Sequence, residues 1–336
     1  MEHLKVGVVG AGRMGQRHCR IYSNLRRVQL AGVCDINPER GEQAARLYDV
    51  PYCRDLDGLL DRVEAVSLVT PTPLHYEFAM RCLERGKHVL IEKPITETVE
   101  QAECLTRAAE ANGKVVLVGH IERFNPAFIE LKNVLEGMTT FAVNLRRLSP
   151  SEGSNLDVDV VLDLMIHDAN LILDLMRQEP ATLNAYGLSV FSGTIDHAVA
   201  QLIFAGGPLV TLTASRITEQ KVRSIEVTAR QAYLECDLLN KSVMAHRHTI
   251  GEYVSHAYRG VKYRQESIVE RIQVPIFEPL FLELQHFVEC VLDGKKPAVS
   301  ARDGLEALRL ARRVRDAVVG HWETAAPIRS LEPVAG

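Results

Sequence analysis

The stretch from Leu4 to Asp35 reads LKVGVVGAGRMGQRHCRIYSNLRRVQLAGVCD, and its reading decides the fold. Residues 6–9 are a short apolar run with the β-branched content of a buried strand. The run passes straight into Gly10-Ala11-Gly12-Arg13-Met14-Gly15, a GxGxxG match. A helical pattern follows to about Leu25, and a second apolar run over 28–34 stops at Asp35. Strand, glycine turn, helix, strand and acid is the order that confirms such a motif as a dinucleotide site.

Each part has a physical task. Gly10 permits the tight turn, Gly12 lets a pyrophosphate approach the backbone, and Gly15 lets the helix pack on the strand. The helix begins at Arg13 and Met14, where free N–H groups and the positive end of the dipole favour phosphate. Asp35 lies about 20 positions past Gly15, where a carboxylate accepts the ribose 2′-OH. An acid there repels a 2′-phosphate, so NAD is expected over NADP; nearby Arg40 is the residue that keeps NADP open.

Bulk properties set limits. A length of 336 residues suggests two domains. Hydrophobic content of 46% and charged content of 24% are those of a globular protein. A net charge of −4 gives no general electrostatic case for nucleic acid or an acidic membrane. No apolar run reaches the roughly 18 residues a spanning helix needs. Strand-building starts by Leu4 without a basic and apolar leader, and the seven cysteines show no CxxC spacing. Free thiols in a reducing cytoplasm are expected, with no metal site.

Beyond Asp35 the alternation continues. Helices are expected at 37–48, 56–60, 74–85 and 99–112, with strands at 51–52, 65–69, 87–91 and 115–118. This is an α/β doubly wound parallel sheet, a Rossmann domain over residues 1–119, with strand order 3-2-1-4-5-6. Ligands bind outside the carboxyl ends of such strands. Gly10, Asp35, Thr70-Pro71, Glu92-Lys93 and Gly119 fall there.

The pattern then changes. Residues 120–336 read as an α+β domain for substrate and oligomerisation. It has a helix at 126–136, a strand at 141–148, a polar loop at 151–155 and a long helix at 158–176. Successive strands follow near 183–191, 197–205, 208–215, 222–229, 231–236 and 242–249, which implies a large open antiparallel sheet. Closing helices are expected at 280–292 and 301–319, with a strapping tail after Gly320. The sheet's open face suggests a homo-oligomer, dimer or tetramer.

Three residues stand out for chemistry. Lys93 ends a strand at the ligand edge, is held by Pro94, and follows Glu92. Asp163 and His167 are four apart in an apolar helix and share a face. A histidine with a carboxylate one turn away gains a fixed ring and a raised tendency to hold a proton, which suits acid–base work. Asp168 beside them suggests a metal only if another ligand joins, and none is evident.

The set GAGRMG, CD, TPTPLH, GKHVLIEKP and DLMIHD resembles the glucose–fructose oxidoreductase/inositol dehydrogenase family over nearly the whole chain. The resemblance implies an NAD(P)-dependent sugar dehydrogenase in which Lys93 and His167 flank the reacting carbinol and Asp163 supports them. It also implies that His75 lies near the cofactor.

Two further stretches, 119–126 and 214–223, resemble the branch acting on the 3-hydroxyl of UDP-N-acetylglucosamine. Other branches commonly carry an aromatic where Arg216 stands. The resemblance implies a nucleotide-sugar substrate, and a diphosphate needs cationic partners. Arg123, Arg216, Lys221 and Arg223 are the candidates, with Asn125 beside the first. His167 or Lys93 serves as the base; the sequence leaves both open. The alternatives are an inositol or simple hexose dehydrogenase and, in another class, a non-catalytic NAD-binding regulatory protein.

Overall fold

The β-branched run that opens the chain becomes strand β1 (Leu4–Val9), and the glycine turn feeds α1 (Arg13–Tyr22). A computed structural model describes residues 3–150, 158–190, 193–255 and 260–322, with side chains left aside over 248–266. The loop expected at 151–155 lies outside the described residues, as does the tail beyond 322.

The alternation runs on through β2 (Val28–Cys34), α2 (Pro38–Tyr48), β3 (Tyr52–Cys53), α3 (Leu56–Leu60) and β4 (Ala65–Leu68). It closes with α4 (His75–Glu84), β5 (His88–Glu92), α5 (Val99–Asn112) and β6 (Val116–Gly119). All six strands are parallel, in the order β3-β2-β1-β4-β5-β6, as expected. Helix starts follow local chemistry. The Asn37 side chain accepts the Arg40 amide ahead of Pro38, and Thr98 with Gln101 forms a reciprocal capping box on α5. The helix expected from residue 74 is preceded by a 3₁₀ turn, Thr72–Leu74, with Pro73 in its first positions, where a missing N–H is tolerated.

The second half begins with α6 (Pro126–Leu135), capped by Asn125, and β7 (Thr140–Leu148). The helix expected over 158–176 is divided. A π turn, Val161–Met165, precedes α7 (Ile166–Met176), and the Ile166 amide reaches the Val161 carbonyl five residues back. Then come β8 (Thr182–Leu188), β9 (His197–Ile203), β10 (Leu209–Ser215), β11 (Val222–Ala229), β12 (Tyr233–Asp237), β13 (Ser242–Ser255) and β14 (Gly260–Ile272). Helices α8 (Pro279–Asp293) and α9 (Ala301–Trp322) follow.

The eight strands form one sheet, β14-β13-β12-β11-β7-β10-β9-β8. It is mostly antiparallel, but β7 and β10 run parallel. The reason is directional. The helical segment returns the chain after β7, and each hairpin from β8 to β10 reverses it, so β10 arrives pointing as β7 does. Strand β14 is absent from the sequence expectation. Its stretch VKYRQESIVERI offers polar residues at both parities for much of its length, so alternation gives little signal.

The large sheet packs against α9 at β8, the π turn at β10 and α6 at β12 and β13, with α7 lying on α9. Gly187 of β8 lies so close to α9 that a Cβ would come within 2.7 Å of the Val318 side chain. In turn, α9 rests on α5 and α8 on α1, so the core runs unbroken between the two sheets. All seven cysteines are free thiols. Among the described residues no helix is long and apolar enough to cross a membrane.

Candidate active site

The glycine turn is shaped for a dinucleotide. Gly10 has φ of 97°, and a Cβ there would lie 2.4 Å from the Val69 carbonyl oxygen. A Cβ on Gly15 would sit 1.7 Å from the Gly10 carbonyl oxygen, so α1 can approach β1 only through glycine. At Gly12 a Cβ would meet nothing within 4 Å, which leaves the turn open where α1 begins. Buried Asp35 accepts the Ala11 amide at 2.6 Å and the Asn37 amide at 2.8 Å. The Arg40 guanidinium stands 3.7 Å from its Oδ1. The Thr70 hydroxyl, just past β4, is buried without a protein partner. An open turn, exposed helix-start amides, an acid and an orphaned hydroxyl fit a bound dinucleotide.

His75 lies between the ends of β4 and β5. Its Nδ1 faces the Pro94 carbonyl and its Nε2 the Thr70 carbonyl, each at 2.8 Å. Burial pushes its pKa down. A neutral ring donates to one of these two carbonyls and lies against the other, which ties the ends of β4 and β5 together.

At the end of β5 the chain turns through a cis Lys93–Pro94 bond. The Lys93 ammonium donates to the Asp163 carboxylate at 3.0 Å and to the Asp163 carbonyl at 2.9 Å. It thus grips the π turn by side chain and backbone. His167, one residue into α7, stands next to this pair. Burial depresses its pKa most, followed by the charges of Lys93, Arg147, His120 and Arg223, and holds it well below the usual histidine value. The expectation of a raised proton affinity is corrected here. Asp163 spends its carboxylate on Lys93, so no acid supports a His167 cation. The imidazole is neutral near pH 7. Its Nδ1 is buried without a partner, while the residue stays partly accessible.

Behind His167 lies a charged cluster. Arg147, 2% exposed, holds Asp168 through two nitrogens, at 2.7 and 3.1 Å, and Glu122 at 2.9 Å. Burial opposes its charge, but Asp168 and Glu122 outweigh burial and raise its pKa. Glu122 also takes Arg223 at 3.2 Å. Asp168 is thus committed to an arginine, and among the described residues there is no metal-ligating cluster.

The four cationic candidates part company. Arg223 reaches this cluster and keeps a third of its side chain accessible, at 33%. Arg123 is 10% accessible and bound to Asp174 at 2.7 Å and the Ala298 carbonyl at 2.9 Å. Arg216 is buried beside Asp196 and donates to the Val158 carbonyl, so it anchors the approach to the π turn. Lys221 is exposed ahead of β11. Asn125 caps α6 and bonds Glu122 and the Leu238 carbonyl, both at 3.0 Å. Neither Arg123, Arg216 nor Asn125 has its polar head free for a sugar nucleotide.

Three participants escaped the sequence reading. Arg147 falls on the inward parity of β7 with Val143 and Leu145, a signal that strand alternation carried. His120 follows β6 and is 1% exposed with both ring nitrogens buried and unpartnered. Glu283 is a lone acid among Leu280, Leu284 and Phe287 of α8. Both its oxygens are buried without partners, and burial with the nearby Glu92 charge raises its pKa well above the ordinary value. Glu92 itself accepts a contact from His18 at 3.2 Å. Burial works against its charge, but His18 and Lys93 prevail and hold its pKa low.

Comparison with known proteins agrees with this geometry. The pattern described as "Oxidoreductase family, NAD-binding Rossmann fold" matches residues 4–120, and "GFO/IDH/MocA C-terminal domain" matches 145–235. The chain is 32% identical to UDP-N-acetylglucosamine 3-dehydrogenase of Acidithiobacillus ferrooxidans, over 95% of this chain and 98% of that one. The solved structure of the latter enzyme superposes with a TM-score of 0.85, covering 95% and 99% of the two chains. Identity to the scyllo-inositol 2-dehydrogenase (NAD(+)) of Bacillus subtilis is 26%, over 90% and 91%. The NAD complex of GenD2 from gentamicin A biosynthesis shares the fold, with 22% identity, a TM-score of 0.79 and coverage of 96% and 95%. Matched over residues 4–120 and 145–235 and over nearly the full length of a 32% identical relative, the chain belongs to the GFO/IDH/MocA family and is an oxidoreductase.

Proposed function

We propose that this chain oxidises the 3-hydroxyl of UDP-N-acetylglucosamine to the 3-keto sugar nucleotide with NAD. One observation carries the chemistry: the Lys93 ammonium, held at 2.9 and 3.0 Å by Asp163, acts at short range on a neutral His167. A neutral imidazole can accept a hydroxyl proton, and an adjacent fixed cation stabilises the alkoxide that develops. Nδ1 of His167 is sealed inside the protein, so Nε2 is the atom assigned to the substrate. Asp163 holds Lys93 in register and is not itself a base. NAD, when bound, supplies the acceptor for the carbinol hydride. Gly10, Gly12, Arg13, Met14, Gly15, Asp35, Thr70, Pro71 and Glu92 line its proposed seat, and residues 1–119 are its proposed domain.

The nucleotide-sugar assignment draws on the 32% relative and on Arg223, the buried cluster's accessible cation. Lys221 joins it as an exposed second charge. A second reading, an inositol or simple hexose dehydrogenase, gains from the engagement of Arg123 and Arg216 elsewhere. The exposed Tyr186, Ile203 and Leu209, on the strand faces opposite buried Ala185, Leu202 and Val210, support a homo-oligomer.

The test is absorbance at the reduced-nicotinamide band across UDP-sugars and free sugars, with NAD and NADP in parallel. Turnover with UDP-N-acetylglucosamine and NAD, and none with free hexoses or inositols, is the expected result. Turnover with a free polyol alone selects the second reading.

A further inference from the structure

His167 lacks the orienting partner that a catalytic histidine ordinarily has on its second nitrogen. Asp163, the acid four residues before it, is bound to Lys93. Its Nδ1 is buried, and no protein atom bonds it. The side chain that faces it is His120. The two ring centroids are 6.3 Å apart at 88°, edge to face. His120 comes from the segment that leaves β6.

Both nitrogens of His120 are also buried and unpartnered. Only one His120 nitrogen can turn toward His167, so that nitrogen and His167 Nδ1 are the two orphaned atoms that can share a partner, each costing roughly 1–3 kcal/mol if left unsatisfied. Two hydrogen bonds of about 2.8 Å through one water span about 5 Å, and the ring centroids here are 6.3 Å apart. A polar site with two to four partners is where a buried water is held. The charges facing the pair are all cations: Arg123 and Lys93 act on His120, and Lys93, Arg147 and Arg223 act on His167. Burial first, and these cations second, push His120 down to about 3, so it stays a neutral ring with one donor and one acceptor.

We infer that His120 is the positioning residue for His167: the two imidazoles share one buried water that accepts a hydrogen bond from the His167 Nδ1–H and so leaves the Nε2 lone pair free toward the substrate. The inference rests on His167 as the base. His120 touches no reacting atom. It fixes the tautomer and the ring plane, as outer partners of ligating and catalytic histidines do.

The test uses the full chain with His120→Phe, which keeps a ring but removes both nitrogens, and His120→Gln, which restores a donor and an acceptor. Histidine-labelled ¹⁵N spectra report the His167 tautomer, assigned through its loss in His167→Gln. In the wild type His167 is expected as the Nδ1–H form. In His120→Phe the Nε2–H form grows and kcat falls about 10- to 100-fold. KM for the sugar and NADH affinity stay within about threefold, and His120→Gln recovers part of both signals. An unchanged tautomer and kcat in His120→Phe overturn the inference while the wild-type turnover stands. A raised KM at constant kcat also overturns it, because His120 then contacts substrate. If the wild type oxidises no sugar, the dehydrogenase reading fails, and the tautomer comparison alone decides the pairing. Should His120→Phe fail to fold, the same comparison between wild type and His120→Gln decides it, with an unshifted spectrum and a tenfold loss of kcat counting against it.

Discussion

Replacing Lys93 by Met removes one charge and two hydrogen bonds, and the structure gives each a consequence. The bonds run to Asp163, a carboxylate with 27% of its side chain accessible. Water can take over its solvation, so the loss of stability should be no more than about 1 kcal/mol. The charge matters to catalysis. Loss of the cation that stabilises the developing alkoxide should lower kcat about 10²- to 10⁴-fold, or about 3–5 kcal/mol of barrier. There is a second signature. Lys93 contributes the largest charge effect on His167 and lowers its pKa. Without it the pKa rises, so the neutral base is lost at a higher pH than in the wild type. The acid limb of the residual activity should therefore move upward. Steady-state turnover from about pH 5 to 9, a range that brackets the histidine transition, reads both effects. NADH affinity should stay within about threefold, because Lys93 acts at the carbinol. Turnover within about threefold of wild type, or an acid limb that does not move, refutes the roles given to Lys93 and His167.

Three other perturbations follow from the same geometry. Asp35→Ser removes the charge that faces the ribose while Arg40, 3.7 Å away, remains. The ratio of kcat/KM for NADP over NAD should rise at least about tenfold, and an unchanged ratio counts against Asp35 as the discriminating acid. Arg223→Ala should raise KM for UDP-N-acetylglucosamine about tenfold or more, with NAD affinity unchanged, if the exposed third of this side chain meets the diphosphate. Equal KM values return the diphosphate to other residues. Glu283→Gln addresses linkage. A carboxyl whose folded pKa is raised favours the native state below the unfolded value of about 4.3, and that contribution is lost as pH rises toward the folded value. The variant should therefore gain Tm over wild type at pH 8 and gain less or nothing at about pH 5. A pH-independent difference sinks the assignment.

Much of the frame was legible one residue at a time. The strand–turn–helix at 4–22 needed only local information. β-Branched residues specify the strand, Gly10 alone tolerates the turn's φ of 97°, and Gly15 alone admits the helix. Parallel strands alternating with helices call for a sheet covered on both faces, the dinucleotide turn after the first strand points to the order 3-2-1-4-5-6, and the sheet has that order. Lys93, Asp163 and His167 could be singled out because polar residues at a ligand-bearing edge or in an apolar helix stand against their background.

Tertiary structure decided what those residues do. Spacing alone pairs Asp163 with His167, since four residues make one helical turn; folding brings a stronger cation from 70 positions away and takes the carboxylate for Lys93. Burial then sets the sign of the His167 shift, and burial is a property of the assembled fold. Arg123 and Arg216 look alike to Arg223 in the chain; only the tertiary structure gives each its internal acid, Asp174, Asp196 and Glu122, and leaves a third of the Arg223 side chain accessible. The parallel pairing of β7 with β10 and the meeting of His120 with His167 are likewise long-range events. Periodicity names the elements a sequence builds, because backbone sterics act over a few residues; partners far apart along the chain are chosen by the packing of the whole.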